Sequence, residues 1–400
     1  MHETESLTVA YILESISPGW LTYETDALRD RGCRIEIYPT NPARYPQFKG
    51  LGFSDHASIP RDITNLASLT IRKPLHTSHM LTSLRRRVGW RIAGSTLSLG
   101  RRIQQTEPFL PRLIHAHFAS GPALSAMTAS NDTQIPFGFT AHAYDIYKEP
   151  IDWDLMRVKC RAASFVRCIS EFNKNYLIQK TGVEEERFIV IPCGVDTARF
   201  RPDETKRKKP HEKKIILTAG GLVPPKGIPR LLEAMSDPRL KEMGCRLVIA
   251  GDGPERGGLE HQAAKLDIDA TFLGSVANES MPPLYHEADV FIIPCVTAED
   301  GHHDGIPVAL MEAMASGIPV ISSSISGIPE LIEDKKSGLL TPEDSTEPLV
   351  EAILRVLTDE ALSRRVSLAG RKRVRDRFDI RDIARRLYDL FVLHAIRDGR

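Results

Sequence analysis

The sequence lacks an excess of charge of either sign. Lys and Arg total 53 and Asp and Glu total 52, so this chain of 400 residues has a formal net charge of +1 at pH 7. Proteins that bind nucleic acid over a wide surface usually carry a strong basic excess. We therefore expect no nucleic-acid partner, and any site for an anionic ligand must be local.

Cysteine and long apolar runs are also scarce. None of the six cysteines forms a Cys-x-x-Cys pair, which excludes a disulfide framework or a zinc knuckle and fits a reducing cytosol. No uncharged apolar run approaches the roughly 20 residues that span a bilayer. Glu3 and Glu5 stand where a secretion signal carries basic residues. We expect a cytoplasmic protein, soluble or peripheral at the inner face of the cell membrane.

Short apolar runs alternate with stretches of helical period along most of the chain. The first series of predicted strands lies at 7–13, 33–38, 113–117, 137–142, 165–170 and 188–192. A second series lies at 215–219, 246–250, 271–273, 290–294 and 320–322. Such alternation is typical of parallel sheets covered by helices. The sequence therefore predicts an α/β chain with two consecutive Rossmann-like halves.

Charge and periodicity suggest where these halves begin and end. Residues 200–214 are strongly charged and show no apolar pattern, which predicts an interdomain linker. We predict an N-terminal domain at 1–198, a C-terminal domain at 199–375 and a final helix at 376–400. That helix is amphipathic and needs a surface, so it is predicted to pack back toward the first domain.

Residues 289–321 carry the clearest chemical pattern, a strand, a polar glycine loop, a helix and another strand. Pro307 suits the first helical position, and the amides of Val308 and Ala309 would face the carboxyl edge of the sheet as a phosphate receptor. Asp304 lies in the loop and Glu312 in the helix. Carboxylates beside a phosphate site accept hydrogen bonds from hydroxyls, as a ribose and a sugar offer.

This stretch resembles the signature of the family 4 retaining glycosyltransferases, which is Glu, seven residues, Glu, then Ala-x-Ala-x-Gly-x-Pro-Val. Asp304 and Glu312 occupy the two acidic places. Other matching motifs follow in the family's order at 114–118, 139–143, 191–196, 226–228, 249–254 and 272–274. The chain is most similar to the bacterial exopolysaccharide and colanic-acid type. The resemblance implies the GT-B fold, in which two Rossmann-like domains have parallel sheets that face a central cleft.

The resemblance also implies roles for the donor-binding residues. Glu312 would hold the ribose and Asp304 the transferred sugar, and residues 305–309 would surround the sugar and the diphosphate. In chain order these are Gly305, Ile306, Pro307, Val308 and Ala309. Lys226 would bind the diphosphate, but Gly221 stands where the family has an arginine. This change implies weaker donor binding, a compensating cation or lost activity.

Further residues are placed at the cleft by the same resemblance. His142 would face the donor sugar, and Gly19 would lie in a loop that approaches the phosphates and the acceptor.

His115 and His117 share one face of a strand but have no third ligand at metal spacing, so core or cleft packing is favoured. His302 and His303 are expected to contact donor or acceptor rather than zinc. No metal or cofactor is expected.

One basic segment has two open interpretations. No acidic residue occurs between Asp62 and Glu107, and arginines alternate there with apolar residues. Residues 72–102 would rest on an anionic membrane or hold a phosphorylated acceptor. Alternatively, they form a solvated helix pair inserted in the first domain.

The predicted function is retaining transfer of a sugar from a UDP- or GDP-linked donor to a lipid-linked or glycan acceptor. It would proceed without a metal and serve cell-surface polysaccharide synthesis. Two alternatives stay open at this stage. One is a catalytically silent scaffold that binds nucleotide sugars, which Gly221 favours, and the other is a GT-B nucleotide-sugar epimerase.

Overall fold

Two parallel sheets form the framework of the protein. The computed structural model describes residues 7–13, 20–40, 99, 103, 110–203 and 213–396. Gly19 and all of residues 72–102 except Leu99 lie outside these ranges. The predictions made for Gly19 and for the basic segment therefore stay predictions.

The first sheet has six parallel strands, in the order β2-β1-β3-β4-β5-β6. They are β1 (Thr8–Leu13), β2 (Arg34–Pro39), β3 (Leu113–His117), β4 (Phe137–Ala141), β5 (Phe165–Cys168) and β6 (Phe188–Val190). Its helices are α1 (Trp20–Arg29), α2 (Gly121–Thr133), α3 (Tyr144–Tyr147), α4 (Trp153–Ala162) and α5 (Glu171–Thr181). Strands β1, β3, β4 and β5 are buried along their whole length, as expected for a parallel sheet with both faces covered.

The second sheet is also parallel and six-stranded, in the order β12-β11-β10-β7-β8-β9. Its strands are β7 (Ile215–Ala219), β8 (Arg246–Ala250), β9 (Ala270–Gly274), β10 (Val290–Ile293), β11 (Val320–Ser323) and β12 (Leu339–Thr341). The strand order reverses between β7 and β10: from β7 the chain adds strands on one side of the sheet, and from β10 it adds them on the other. In doubly wound sheets, ligands bind at the carboxyl ends of the two strands that flank such a reversal.

Helices cover the second sheet and complete the chain. They are α6 (Ile228–Met235), α7 (Pro238–Glu242), α8 (Arg256–Lys265), α9 (Met281–Glu287), α10 (Val308–Ala315), α11 (Ile328–Leu331), α12 (Glu347–Thr358), α13 (Glu360–Arg377) and α14 (Ile380–Ile396). The two Rossmann-like halves and all eleven predicted strands are confirmed. Strand β12 was missed, because its three residues are too few to show a period.

The segment 200–214, predicted to be a charged linker without an apolar pattern, begins with a buried residue, Phe200. This side chain is fully buried, with its ring 6.3 Å from that of Tyr23 in the first half and 5.8 Å from that of Tyr285 in the second. The connection therefore begins with an aromatic anchor between the two sheets. Of the remaining linker, residues 204–212 lie outside the described ranges.

Helix α14 returns to the first sheet, as predicted. The buried Phe391 ring lies 5.0 Å from that of His115 on β3 and 6.2 Å from that of Tyr11 on β1. Arg386 donates a hydrogen bond to the carbonyl of Val190 on β6, at 2.7 Å. The C-terminal helix thus supplies core to the N-terminal half. The division at residues 198 and 375 stays a prediction.

We expect Phe391→Ala to lower the free energy of unfolding by about 3–5 kcal/mol, because it leaves a cavity under the first sheet. Leu393 is the matched control on the same helix, since 47% of its surface is exposed. Leu393→Ala should cost less than about 1 kcal/mol. Urea denaturation followed by circular dichroism measures both effects. Equal losses in the two variants would contradict the packing described for α14.

Candidate functional site

Lys226 and Asp304 meet at the reversal point of the second sheet. Lys226 ends a single helical turn after β7, and Asp304 lies in the loop between β10 and α10. Lys226 Nζ is 2.8 Å from Asp304 Oδ2, and Cys295 Sγ is 3.7 Å from the same oxygen. The two strands are neighbours in the sheet, so their carboxyl ends bring these side chains together.

Glycine makes this approach possible. Gly227 has φ +65°, and a Cβ there would lie only 2.0 Å from the carbonyl oxygen of Pro294 at the end of β10. Only glycine can adopt this backbone without strain and without that clash. The aliphatic part of the Lys226 side chain packs over Gly220. A Cβ on Gly220 would lie 3.3 Å from Lys226 Cε. Close packing of the two loops therefore fixes the direction of the lysine.

The ion pair sets the charge state of Lys226. Burial lowers the pKa of Lys226, but the Asp304 carboxylate raises it, and the result lies above the ordinary value. The ammonium is therefore charged at neutral pH. It has three N–H donors, so it can serve Asp304 and an additional anionic acceptor together.

Helix α10 begins at the same edge of the sheet. Its first residue is Val308, and Pro307 occupies the N-cap position. The sequence predicted Pro307 at the first helical position, so the helix begins one residue later than predicted. The side chain of Pro307 provides no cap, and the first amides of a helix have no acceptor within it. Val308 and Ala309 are half-buried, whereas Gly305, Ile306 and Pro307 are buried. The helix start is thus a local positive site beside Lys226 and Asp304.

Glu312 lies in a separate, buried cluster. Its carboxylate accepts hydrogen bonds from the Tyr285 hydroxyl at 2.8 Å and from Asn278 Nδ2 at 3.2 Å. Tyr23 on α1 also hydrogen-bonds to Asn278, so the first half of the chain reaches this cluster. Burial raises the pKa of Glu312 to about 7, against the opposing effect of the hydrogen bonds. Glu312 is therefore only partly ionised at neutral pH.

His142 comes directly after β4 in the first sheet. Its ring is buried, and its Nε2 lies 3.3 Å from His117 Nδ1 on β3. His115 Nε2 lies 2.9 Å from Thr140 Oγ1. His115 and His117 are fully buried, which confirms the packing predicted for them. Among the described residues, no group of three His, Cys, Asp or Glu side chains is arranged to hold a metal ion.

The loop that carries Asp304 touches the first half of the chain. The Glu149 amide donates to the carbonyl of Asp300 at 3.1 Å, and the ring of His303 lies 3.8 Å from that of Tyr147. A Cβ on Gly305 would lie 3.7 Å from that of Ala143, the residue after His142. The structure thus brings the Asp304 loop beside the end of β4, although 162 positions separate residues 142 and 304.

The remaining predicted residues fall into different surroundings. Gly221 is exposed, and a Cβ there would meet nothing within 4 Å. His302 packs against Tyr144, with 5.2 Å between the ring centroids. Sequence reasoning missed the partners of Glu312 and the buried carboxylate of Glu24 below His142. Their positions along the chain give no signal, because long-range packing alone brings them together.

Two family descriptions match the chain in succession. "Glycosyltransferase Family 4" matches residues 21–199, and "Glycosyl transferases group 1" matches residues 200–373. This chain belongs to the family 4 glycosyltransferases. Its two facing Rossmann-like halves are the GT-B fold.

Individual relatives agree with this membership. The chain is 37% identical over 220 residues to a putative colanic acid biosynthesis glycosyltransferase of Escherichia coli, covering 53% of each chain. It is 33% identical over 208 residues to a GDP-mannose-dependent mannosyltransferase of Mycobacterium tuberculosis, covering 50% of this chain and 54% of that one. The matches thus span about half the length of these relatives.

A solved structure shows the same fold over nearly the whole length. Anabaena HepE in complex with UDP-glucose superposes with a TM-score of 0.71 at 17% identity, covering 97% of this chain and 100% of that one. Within the described ranges, no helix has the length and apolar character needed to cross a bilayer.

The buried state of Glu312 predicts a pH-dependent change in stability. A carboxyl group whose pKa is higher in the folded protein disfavours folding as pH rises from 4.5 through 7. Glu312→Gln removes this penalty, so its free energy of unfolding relative to the wild type should rise by up to about 3 kcal/mol between pH 4.5 and pH 8. Thermal unfolding at both pH values measures the difference. Glu279→Gln is the control, because Glu279 is exposed. If the difference in free energy of unfolding between Glu312→Gln and the wild type were the same at both pH values, the interpretation would be refuted.

Proposed function

We propose that this protein is a retaining glycosyltransferase that uses a nucleotide diphosphate sugar. The observation that carries the proposal is the charged Lys226, held beside Asp304 and the start of α10 at the reversal point of the second sheet. A lysine and free helix amides together suit a diphosphate. Metal-independent stabilisation of the leaving group follows from this set of donors.

The donor is expected to lie along the carboxyl edge of the second sheet. Its diphosphate would contact Lys226 and the amides of Val308 and Ala309. These fixed positive groups stabilise the negative charge that grows on the diphosphate as the bond to the sugar breaks. They are in place before the reaction, so no reorganisation is needed at that moment.

Carboxylates are proposed to hold the hydroxyls of the donor. Glu312 binds the ribose through lone pairs that Tyr285 and Asn278 do not use, since a carboxyl group keeps acceptor positions beyond these two hydrogen bonds whether it is ionised or protonated. Asp304 binds the transferred sugar while it retains its contact with Lys226. Backbone of Gly305, Ile306 and Pro307 surrounds the sugar.

The acceptor is proposed to bind on the first sheet, where His142 faces the donor sugar. Contacts between residues 147–149 and 300–303 close one side of the cleft, and exclusion of water favours transfer over hydrolysis. In a front-face substitution, the bond between the anomeric carbon and the diphosphate breaks. A bond to the acceptor oxygen forms on the same face, and the acceptor proton passes to the leaving phosphate oxygen.

The relatives support the substrate classes. One is named for colanic acid biosynthesis, another as GDP-mannose-dependent, and a structural neighbour holds UDP-glucose. We propose a UDP- or GDP-linked donor and a lipid-linked or glycan acceptor in cell-surface polysaccharide synthesis. Gly221 favours the second candidate, a scaffold that binds the donor without transferring its sugar.

Lys226→Met tests the proposed diphosphate site. Loss of this partly buried cation should reduce transfer at least 100-fold and weaken binding of the nucleotide diphosphate about tenfold or more. Lys265→Met is the control, since Lys265 lies exposed on α8. Calorimetry with UDP and GDP and a transfer assay with their sugar conjugates give both values. Normal transfer by a folded Lys226→Met protein would refute the role of Lys226 at the diphosphate. Donor binding by the wild type without transfer or hydrolysis would instead support the second candidate function, a scaffold that binds the donor.

Gly221→Arg tests whether the missing arginine weakens the donor site. The position is open, and the Lys226 stem lies against the preceding Gly220. A second charge-assisted partner for the diphosphate should tighten binding about tenfold or more. Gly221→Gln adds a long uncharged side chain at the same place and should leave the dissociation constant nearly unchanged. An unchanged constant in Gly221→Arg would mean that another cation already serves the diphosphate.

A further inference from the structure

Helix α13 carries a continuous row of basic side chains on one face. An α-helix has about 3.6 residues per turn, so residues three, four and seven positions apart lie on the same side. Between positions 364 and 375, six residues of α13 fall within about one third of its circumference. They form the surface that we call the basic strip: Arg364, Arg365, Leu368, Arg371, Lys372 and Arg375. All are positively charged except Leu368, which lies at the centre of the strip with 60% of its surface exposed.

The opposite side of α13 is packed against the second half of the chain. Val366 and Val374 are buried there. A Cβ on Gly370 would lie only 2.7 Å from the carbonyl oxygen of Ser337 and 3.4 Å from Met314 Cε on α10. Such close packing leaves α13 no room to turn about its axis. The basic strip is therefore held on the outside of the protein, and its side chains are exposed except for Arg371, which is half-buried.

The basic strip has little counter-charge of its own. Lys372 forms an ion pair with Asp376. Within the described part of the chain, the other four charged members have no carboxylate oxygen within 4.0 Å and no side-chain hydrogen bond. Arginines on other helices differ, since Arg239 contacts three carboxylates and Arg256 contacts two. The guanidinium groups of the strip are thus available to an anionic partner.

This arrangement is unfavourable for α13 by itself. Arg371 and Arg375 are four positions apart, a spacing at which like charges destabilise a helix. An exposed leucine between arginines gains nothing from water either. Both costs fall when a negatively charged surface with an apolar layer beneath it covers the strip.

We infer that the basic strip is a docking surface for an anionic lipid bilayer. About four to eight Lys and Arg residues on one helix are enough to attract anionic headgroups, and five are present here. Leu368 can enter the boundary between headgroups and acyl chains while the arginines around it contact phosphates. A nucleic acid fits less well, because its phosphates would meet Leu368 at the centre of the strip and the net charge of +1 offers no wider basic surface.

The basic strip ends beside the joint between the two halves. Arg375 lines the same surface cavity as Thr197, and the Val195 amide donates a hydrogen bond to the Phe378 carbonyl at 2.9 Å. A bilayer on the strip would therefore keep a lipid-linked acceptor close to both halves. This benefit rests on the proposed function, whereas the docking itself requires no donor and no transfer.

The test is cosedimentation of the full-length protein with lipid vesicles. The probes are vesicles of phosphatidylcholine alone and vesicles in which about one third of the lipid is phosphatidylglycerol. We expect binding to the anionic vesicles only, and loss of that binding when the salt concentration is raised to about 0.5 M. A wild-type protein that does not bind the anionic vesicles would overturn the inference.

Removal of three exposed charges locates the contact. Arg364→Gln/Arg365→Gln/Arg375→Gln should weaken the partition to anionic vesicles about 100-fold, because each cation near the membrane surface contributes about a factor of five. The matched control removes three exposed charges from α4, α7 and α8, and should bind within about threefold of the wild type. It is Arg161→Gln/Lys241→Gln/Lys265→Gln. Equal losses in the two proteins, or undiminished binding by the folded strip variant, would overturn the inference and place any membrane contact elsewhere, such as residues 72–102.

Leu368→Gln separates a bilayer from other polyanions, since it keeps every charge of the strip. It should weaken vesicle binding about fivefold and leave binding to a duplex RNA of the same charge density unchanged. Wild-type protein that binds this RNA as tightly as vesicles, with no effect of Leu368→Gln on either, would assign the strip to nucleic acid and overturn the lipid.

Nucleotide binding distinguishes this inference from the proposed function. Calorimetry with UDP and GDP should give the same dissociation constants for the wild type and for the strip variant, because the strip lies on the side of α13 that faces away from α10. Vesicle docking by a wild type that binds neither nucleotide would overturn the proposed function and support the docking surface. Nucleotide binding without vesicle docking would overturn the docking surface alone.

Discussion

The site depends on a backbone contact at the reversal point of the second sheet. Gly227 lies so close to Pro294 that no side chain fits between the loops after β7 and β10. Because these loops touch, Lys226 and Asp304 are held 2.8 Å apart although 78 positions separate them in the chain. The Asp304 loop then reaches residues 143–149 of the first half. A single close approach thus positions the cation, the carboxylate and the contact between the halves.

Three buried or partly buried carboxylates show how the surroundings set their chemistry. Glu24 is paired with Arg167, and this ion pair outweighs burial, so Glu24 is ionised. Glu312 has only neutral hydrogen-bond donors, so burial dominates and raises its pKa to about 7. Asp304 contacts Lys226 and is more exposed than the other two. An ionised carboxylate only accepts hydrogen bonds, whereas a group near its pKa can also donate one.

The sequence predicted the strands well, because a buried parallel strand is a short apolar run whose ends are marked by turns. It also placed α10, since Pro307 and Gly317 mark its ends. It did not predict β12, whose residues Leu339–Thr341 form too short a run. Phe200 was assigned to the charged linker, and its burial was not foreseen, because that burial depends on the rings of Tyr23 and Tyr285 far along the chain.

The site was predicted less completely than the fold. The family motifs located Lys226 and Asp304, and the structure brings these two together. Tyr285 and Asn278 came only from the structure, because their contacts with Glu312 span 27 and 34 positions. Arg167 gave a faint signal as a charged residue within an apolar strand. Its partner Glu24 lies 143 positions away on α1, and periodicity cannot pair residues at such a distance.

Charge balance explains why Gly221 matters to this chain in particular. Asp304 already offsets the charge of Lys226, so the pair together contributes no net positive charge to an arriving diphosphate. The remaining attraction comes from the start of α10, whose partial charge amounts to about half an elementary charge. A family arginine at position 221 would supply an additional full positive charge. Under the proposed function, donor binding here therefore rests on the helix amides more than it does in relatives that have the arginine.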